Sequence, residues 1–296
     1  MQAERAAVAT ADVRVGLIGC GILRSRTPAM HMAEAKAQGF VCTYDLLDME
    51  DDERRDMSLA EMLDRVEADG YAGVNVTYPY KMEVISLLDE LSVNAAAVGA
   101  VNTVVFKDGK RFGHNTDLWG FAESFHRGLK GAVKDDVLLI GAGGAGVAVA
   151  NALANAGIKR LSIHDVDYNR ALDLVEHIAE RHPELPARAI AEISDAFSGG
   201  RPNGVVNATP MGMAKLPGSA LPIEYLSDNL WVADIVYFPL ETQLLKDARD
   251  HGCKTLPGSG MAVFQAVRAF ELFTGQPADP ERMKATFDAF DSKPSG

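Results

Sequence analysis

Val137-Leu138-Leu139-Ile140-Gly141-Ala142-Gly143-Gly144-Ala145-Gly146 is the stretch on which the fold turns. Its first four residues are apolar without alternation, as in a strand covered on both faces. They run into a G-x-G-x-x-G loop and then a helix built almost entirely of Ala, Val, Asn and Leu, closed by Gly157. Leu161-Ser162-Ile163 reads as the next strand, ending at His164-Asp165. Strand, glycine turn, small-residue helix and a second strand ending in an acid make one βαβ unit.

In such a unit the glycines have separate tasks. Gly141 permits the tight turn, Gly143 lets backbone approach a pyrophosphate, and Gly146 lets the helix pack closely on the strand. Helix N-terminal amides then face the phosphates. The candidate phosphate cradle is therefore Gly141, Ala142, Gly143, Gly144, Ala145 and Gly146. Asp165 falls where a ribose-binding carboxylate belongs, ~20 residues past the loop. A carboxylate there accepts from both ribose hydroxyls and repels a 2′-phosphate. Asp167 adds a second negative charge, and Arg170 already lies in the next helical pattern, so NAD is favoured over NADP. Asp165 is also well suited to be a plain helix N-cap.

Working outward, short apolar segments alternate with helical patterns nearly throughout, which indicates an α/β chain. Strands are predicted at Val13 to Ile18, Val41 to Leu47, Tyr71 to Val76 and Val101 to Phe106, the last entering a turn at Asp108-Gly109. The acidic run Glu50 to Glu53 reads as a solvated loop or helix start. Beyond the glycine loop, Ala171, Leu174, Val175 and Ile178 form an amphipathic helical stripe. Strands follow at Gly204 to Ala208 and Trp231 to Val236, then helices at about Met261 to Phe273 and Pro280 to Phe290.

At 296 residues the chain suits two modest domains. A net charge of −12 argues against a nucleic-acid surface, so an anionic substrate must be attracted by local groups. No apolar run is long enough to span a bilayer. Met1 to Asp12 lacks the basic and apolar blocks of a secretory signal and reads as a disordered leader. Cys20, Cys42 and Cys253 are odd in number and far apart, fitting neither a disulfide framework nor a zinc site. A cytoplasmic protein is expected. His177 and His182, five apart, are predicted on different faces of a helix, and no metal site is expected.

Three segments carry hydroxyls, amides or charge at the ends of predicted strands, where open α/β sheets bind ligands. They are Ser25-Arg26-Thr27-Pro28-Ala29-Met30-His31, Asn75-Val76-Thr77-Tyr78-Pro79-Tyr80-Lys81, and Gly99-Ala100-Val101-Asn102-Thr103 with His114-Asn115-Thr116-Asp117. N-V-T-x-P-x-K, G-A-V-N-T and N-T-D in this order, followed by the glycine loop, resemble the shikimate dehydrogenase family. The resemblance continues through Asn207-Ala208-Thr209-Pro210-Met211-Gly212 and Gly260-Met261 to Gln265.

That resemblance implies Lys81 and Asp117 as the catalytic pair. Lys81 would exchange a proton with the substrate hydroxyl, and Asp117 would hold both by hydrogen bonds. Taken alone, Lys81 would be an ordinary exposed lysine at a helix start after Pro79. The resemblance further implies that Asn75, Asn102 and Gln265 bind ring hydroxyls, that Ser25, Thr27 and Tyr237 donate to a carboxylate, and that Thr77 also binds substrate. It extends the cofactor set to Asn207, Ala208, Thr209, Met211, Val236 and Gly260. His31 and His114 match no catalytic position and read as structural.

Two departures narrow the likeness. The common family serine is Thr27 here, and the N-R-T that grips an NADP phosphate is replaced by Asp165-Val166-Asp167. Both look like the bacterial NAD-dependent quinate/shikimate dehydrogenases, which implies quinate and shikimate as small-molecule partners. The alternatives are a biosynthetic NADP-dependent shikimate dehydrogenase and a non-catalytic relative that senses these acids. The expected architecture is a substrate domain over 1–116, a Rossmann-like NAD-binding domain with a parallel sheet over 117–260, and helices of about 261–296 returning to the substrate domain. No nucleic acid or membrane partner is expected, and the chain is expected to act as a monomer or homodimer.

Overall fold

The computed structural model describes residues 12–290, so the predicted leader at Met1 to Asp12 lies almost wholly outside the described residues. In chain order the elements begin with β1 (Val13–Gly19), α1 (Thr27–Gln38), β2 (Cys42–Asp48), α2 (Leu59–Ala68), β3 (Gly73–Val76), β4 (Glu90–Leu91), α3 (Val93–Val98), β5 (Thr103–Lys107) and β6 (Lys110–His114). There follow α4 (Thr116–Gly128), β7 (Val137–Ile140), α5 (Gly144–Asn155), β8 (Leu161–His164), α6 (Tyr168–Arg181), β9 (Ala187–Ile190) and β10 (Gly204–Asn207). The remainder is β11 (Trp231–Asp234), α7 (Gln243–Asp250), β12 (Lys254–Leu256), α8 (Ser259–Thr274) and α9 (Pro280–Asp288).

These elements group into two compact units. The first takes residues up to Ala95, Ala100–His114 and residues from Ala266 onward; the second takes Ala96–Gly99 and Asn115–Gln265. The first unit holds a mixed sheet of order β2-β1-β3-β5-β6-β4. β1 pairs in parallel with β2 and β3, whereas β5 runs antiparallel to both β3 and β6. The β5–β6 hairpin turns at Asp108 and Gly109, with φ of 52° and 70°, the positive-φ pair of a type I′ turn. On one face lies α2, which starts at the capping box of Ser58 and Glu61 and buries Leu59, Met62, Leu63 and Val66. Each such burial stabilises by about 1.5–3 kcal/mol. The acidic run Glu50 to Glu53 lies in turns, and the helix begins later, at Leu59.

The second unit is the doubly wound sheet expected from the glycine loop. Its order is β12-β11-β10-β7-β8-β9, every pair parallel. The chain travels from β7 to β9 on one side, then returns to β10 and travels to β12 on the other. That reversal puts a topological switch point between β7 and β10, where open sheets bind ligands beyond the strand ends. β7, β10 and β11 are buried along their whole length, which explains their unbroken apolar runs. Among the described residues no helix is long and apolar enough to cross a membrane.

Candidate functional site

In the second unit the glycine loop sits on the switch point. Gly141 has φ of 104°, and a Cβ there would lie 2.8 Å from the backbone of Ala208 on the neighbouring strand's exit. A Cβ on Gly146 would come within 2.1 Å of the Gly141 carbonyl oxygen, so the helix–strand contact leaves room only for hydrogen. Gly143 differs: it is the N-cap of α5, has no side-chain cap, and a Cβ would meet nothing within 4 Å. The first turn of α5 thus faces open space without a capping side chain, as an anion cradle requires.

Asp165 joins this cradle directly. Its Oδ2 accepts from the Ala142 amide at 2.7 Å and its Oδ1 from the Asp167 amide at 2.9 Å. Asp165 is not the N-cap of α6. That role belongs to Asp167, whose Oδ1 accepts from the Asn169 amide at 3.2 Å, while Arg170 pairs with Asp167 at 3.6 Å. The Asp165 carboxylate is therefore held by backbone amides. The nearby arginine is engaged with the other acid.

At the end of β10, Asn207 is fully buried. Its Nδ2 donates to Met211 O at 3.0 Å and to Asp234 Oδ1 at 2.9 Å, and its Oδ1 accepts from the Thr209 amide and hydroxyl. With its side chain consumed internally, Asn207 shapes the Ala208–Met211 loop. Asp234 is the residue that sequence reasoning missed. It ends β11 as Asp165 follows β8, and an acid at a buried strand's end was the available signal. It accepts from Asn207, from the Val236 amide at 3.0 Å and from Thr242 Oγ1 at 2.6 Å.

Burial pushes the Asp234 carboxyl up to about 6, against the pull of hydrogen bonds from Thr242, Val236 and Asn207. A raised folded pKa means stability that is present below the unfolded value near 4 and lost as pH climbs through 6. Asp234→Asn retains Oδ1 for Asn207 and Val236 and turns an amide N–H toward Thr242. The variant is expected to match or exceed the wild type at pH 7, by at most about 2–3 kcal/mol. Its advantage should shrink to about a third at pH 4.5. Urea midpoints at the two pH values check this, and a variant deficit larger at pH 7 than at pH 4.5 would refute it.

In the first unit, Asn75, Asn102 and Thr103 gather at one end of the central strands because β5 starts where β3 ends. Thr103 pairs with Asn75 in the register, Val76 N bonds Asn102 O at 2.9 Å, and Thr77 N bonds Ile18 O at 2.9 Å. Asn75 is clamped: Tyr44 Oη donates to its Oδ1 at 2.8 Å, and its Nδ2 donates to Thr103 Oγ1 at 2.9 Å and Asn102 O at 3.2 Å. Asn102 is buried, and its Oδ1 accepts from Thr103 Oγ1 at 3.3 Å. Lys81 is half-buried, and its carbonyl accepts from the Val101 amide at 2.8 Å, which ties the lysine's backbone to the G-A-V-N-T segment. Ser25 Oγ accepts from the Thr27 amide at 3.3 Å at the start of α1. The preceding loop is anchored by Asp48, whose buried carboxylate accepts from Gly21, Ile22 and Glu50 amides and lies below the usual carboxylate range.

Asp117 and Gln265 belong to the second unit. Asn115 caps α4 through the Leu118 amide at 3.0 Å, so Asp117 stands buried in the first turn, where the helix dipole favours a carboxylate. Three residues on, a Cβ at Gly120 would lie 2.8 Å from Met261 O and 2.9 Å from Gln265 N, so α4 and α8 cross in contact there. Gly260 is likewise pinned, its Cβ position lying 2.2 Å from Ser124 Oγ. Val236 is buried and Tyr237 is exposed just beyond β11.

The histidines behave differently from expectation in one respect. His177 and His182 do not diverge: both reach Asn151, at 3.5 and 3.3 Å, because His182 has left the helix with φ of −132° as its C-cap. His177 Nε2 also lies 2.7 Å from Ala97 O, so this nitrogen carries the proton. His31 is packed against Tyr44, Phe270 and Phe273, and burial lowers it to about 3. His114 is lowered by burial and then by Arg268. Among the described residues no group of three His, Cys, Asp or Glu could hold a metal ion.

Residues 17–104 match the family model described as the shikimate dehydrogenase substrate binding domain, and 258–286 match the shikimate 5′-dehydrogenase C-terminal domain. The quinate/shikimate dehydrogenase (NAD(+)) of Corynebacterium efficiens is 48% identical, over 93% of this chain and 98% of that one. The chain belongs to the shikimate dehydrogenase family. The shikimate dehydrogenase (NADP(+)) of Streptomyces avermitilis is 47% identical, over 92% and 93% of the two chains. The quinate dehydrogenase from Corynebacterium glutamicum, solved in complex with NAD, superposes with a TM-score of 0.89 at 44% identity, covering 94% of this chain and 99% of that one. This family member thus has the two-domain α/β fold of its relatives. Overall identity scarcely separates relatives named for NAD from those named for NADP, so the decision rests on individual residues.

Proposed function

We propose that this chain is an NAD-dependent dehydrogenase that oxidises a ring hydroxyl of quinate and shikimate to the 3-dehydro acids. One observation carries the cofactor assignment: the Asp165 carboxylate is fixed by the Ala142 amide at the rim of the glycine loop. The residues present fit the dinucleotide. An uncapped α5 N-terminus over open space suits a pyrophosphate, and a tethered carboxylate suits two ribose hydroxyls but opposes a 2′-phosphate. When bound, NAD supplies the hydride acceptor.

The chain's own groups do the rest. Asn75 and Asn102, preset by Tyr44 and Thr103, orient ring hydroxyls, with Thr77 and Gln265 completing the set. Ser25, Thr27 and Tyr237 donate to the substrate carboxylate. Lys81 exchanges the proton of the reacting hydroxyl, and Asp117 serves as its partner carboxylate. The amides are already held, so little side-chain freedom remains to be lost on binding. Quinate and shikimate are small anions in a chain of net charge −12, so their capture relies on these local donors. We place the enzyme in the cytoplasm, as a monomer or homodimer without a nucleic-acid partner.

An initial-rate matrix of both acids against both dinucleotides tests this reading. A carboxylate facing a 2′-phosphate costs ~1–4 kcal/mol per charge pair, so kcat/KM for NAD should exceed that for NADP by at least about tenfold. The opposite order would establish the NADP-dependent shikimate dehydrogenase instead. Turnover of neither acid would favour a sensing relative.

A further inference from the structure

α9 packs along α1, and the two helices are tied at both ends. At one end the Glu34 side chain of α1, fully buried, accepts from the Asp279 amide at 3.1 Å and pairs with Arg282 at 3.3 Å. Gln38 adds a bond to Pro277 O at 2.8 Å. At the other end stands Arg26, the residue between Ser25 and Thr27. Its Nη1 donates to Phe287 O at 3.2 Å, its guanidinium carbon lies 4.8 Å from the Phe287 ring centroid, and Phe290 lies at 5.4 Å. Phe287 O belongs to the last turn of α9, where carbonyls lack helical partners and a cation is favoured. Arg26 is the α1 N-cap residue but makes no side-chain cap. Its planar guanidinium suits both the carbonyl and the ring faces.

We propose that Arg26 and α9 form a brace that fixes the Ser25 and Thr27 hydroxyls for the substrate carboxylate, so that Arg26 is a positioning residue and α9 an element of acid specificity. The inference rests on the function proposed above for those hydroxyls. Ser25 Oγ accepts from the Thr27 amide across Arg26, so a shift of the arginine moves both hydroxyl residues together. The upstream part of the same loop is pinned by Asp48 through the Gly21 and Ile22 amides, leaving the Arg26 end as the one that α9 governs. Sequence alone gives no hint of this, because Arg26 and Phe287 are 261 positions apart.

Kinetics and amide hydrogen exchange on the full chain test the brace. Arg26→Met should raise KM for the acid at least tenfold, with kcat and KM for NAD within twofold. Phe287→Leu keeps apolar volume but loses the ring face, and should raise the acid KM about threefold. Phe290→Ala, at an exposed ring, should do the same without a folding risk. Arg26→Lys should recover only part of the loss, and Arg26→Met with Phe290→Ala should be no worse than Arg26→Met alone. Amides of residues 20–30 should exchange at least tenfold faster in Arg26→Met and measurably faster in Phe290→Ala. An acid KM that rises in Arg26→Met but stays at the wild-type value in both phenylalanine variants would overturn the brace. So would unchanged exchange over residues 20–30. Exchange is read without substrate, so the brace stands or falls on it even where the wild type turns over neither acid, an outcome that removes only the proposed function.

Discussion

Replacing Lys81 by alanine is expected to lower kcat for quinate or shikimate oxidation about 10³-fold and to leave NAD affinity within twofold. Positioned proton transfer contributes ~10²–10⁴ to such reactions, and about 10³ corresponds to ~4 kcal/mol of barrier. The loss should fall on kcat, because the proton moves as the carbon–hydrogen bond breaks and the amine contributes most at that moment. Local structure should survive the change. The Lys81 carbonyl accepts from the Val101 amide, and alanine keeps that backbone bond. Lys81→Met provides a companion with the stem retained and the amine gone, and it should fall equally far. Stopped-flow turnover with fluorescence titration of NAD measures both halves. Turnover within threefold of wild type would remove Lys81 from the chemistry.

The second large effect concerns cofactor choice. Asp165→Asn should reduce the NAD:NADP ratio of kcat/KM by ~10–100-fold, mainly by weakening NAD. Removing one unit charge relieves ~1–4 kcal/mol of repulsion toward a 2′-phosphate at a half-buried site. The same change turns an amide nitrogen or leaves a single oxygen for two backbone donors, Ala142 N and Asp167 N. One donor then loses its partner, and the glycine loop is loosened along with ribose binding. NADP use should therefore improve little in absolute terms. A ratio unchanged by the substitution would show that discrimination resides elsewhere.

Much of this was readable from the chain because it depends on local pattern. Val137–Ile140, the glycine loop and the small-residue helix specify one another within a few residues, and the structure returns that βαβ unit nearly residue for residue. The polar clusters at strand ends were likewise visible, and Asn75 and Thr103 do meet where β3 ends and β5 begins. Elements with weak local signals were not. β9 buries only Ile190 and β12 only Leu256, so neither alternates, and each is an edge strand defined by its neighbour. The histidine pair was misplaced because helical spacing was applied to His182, which sits outside the helix. Asn207 pairs its side chain with Asp234, 27 positions away, as well as with Thr209 and Met211, and nothing in the sequence marks the distant partner. Asp165 could not be separated from a cap by spacing alone, since Asp167, two residues on, serves α6 equally well. Long-range pairing decides such cases, and a single sequence does not display it.

The division of the chain also sets an order of assembly during synthesis. The unit that holds the glycine loop is nearly continuous, from Asn115 to Gln265, whereas its companion needs residues from Ala266 onward to finish its interior. Phe270 and Phe287 are fully buried there. A ribosome adding ~5–20 residues per second delivers them only after the whole doubly wound sheet has emerged. The earlier-made half must therefore wait, its sheet part-covered, while the later-made half folds first. Chains ended at Gln265 and followed by a flexible tether long enough to clear the ribosome should present a protease-resistant second unit joined to a still cleavable amino-terminal half.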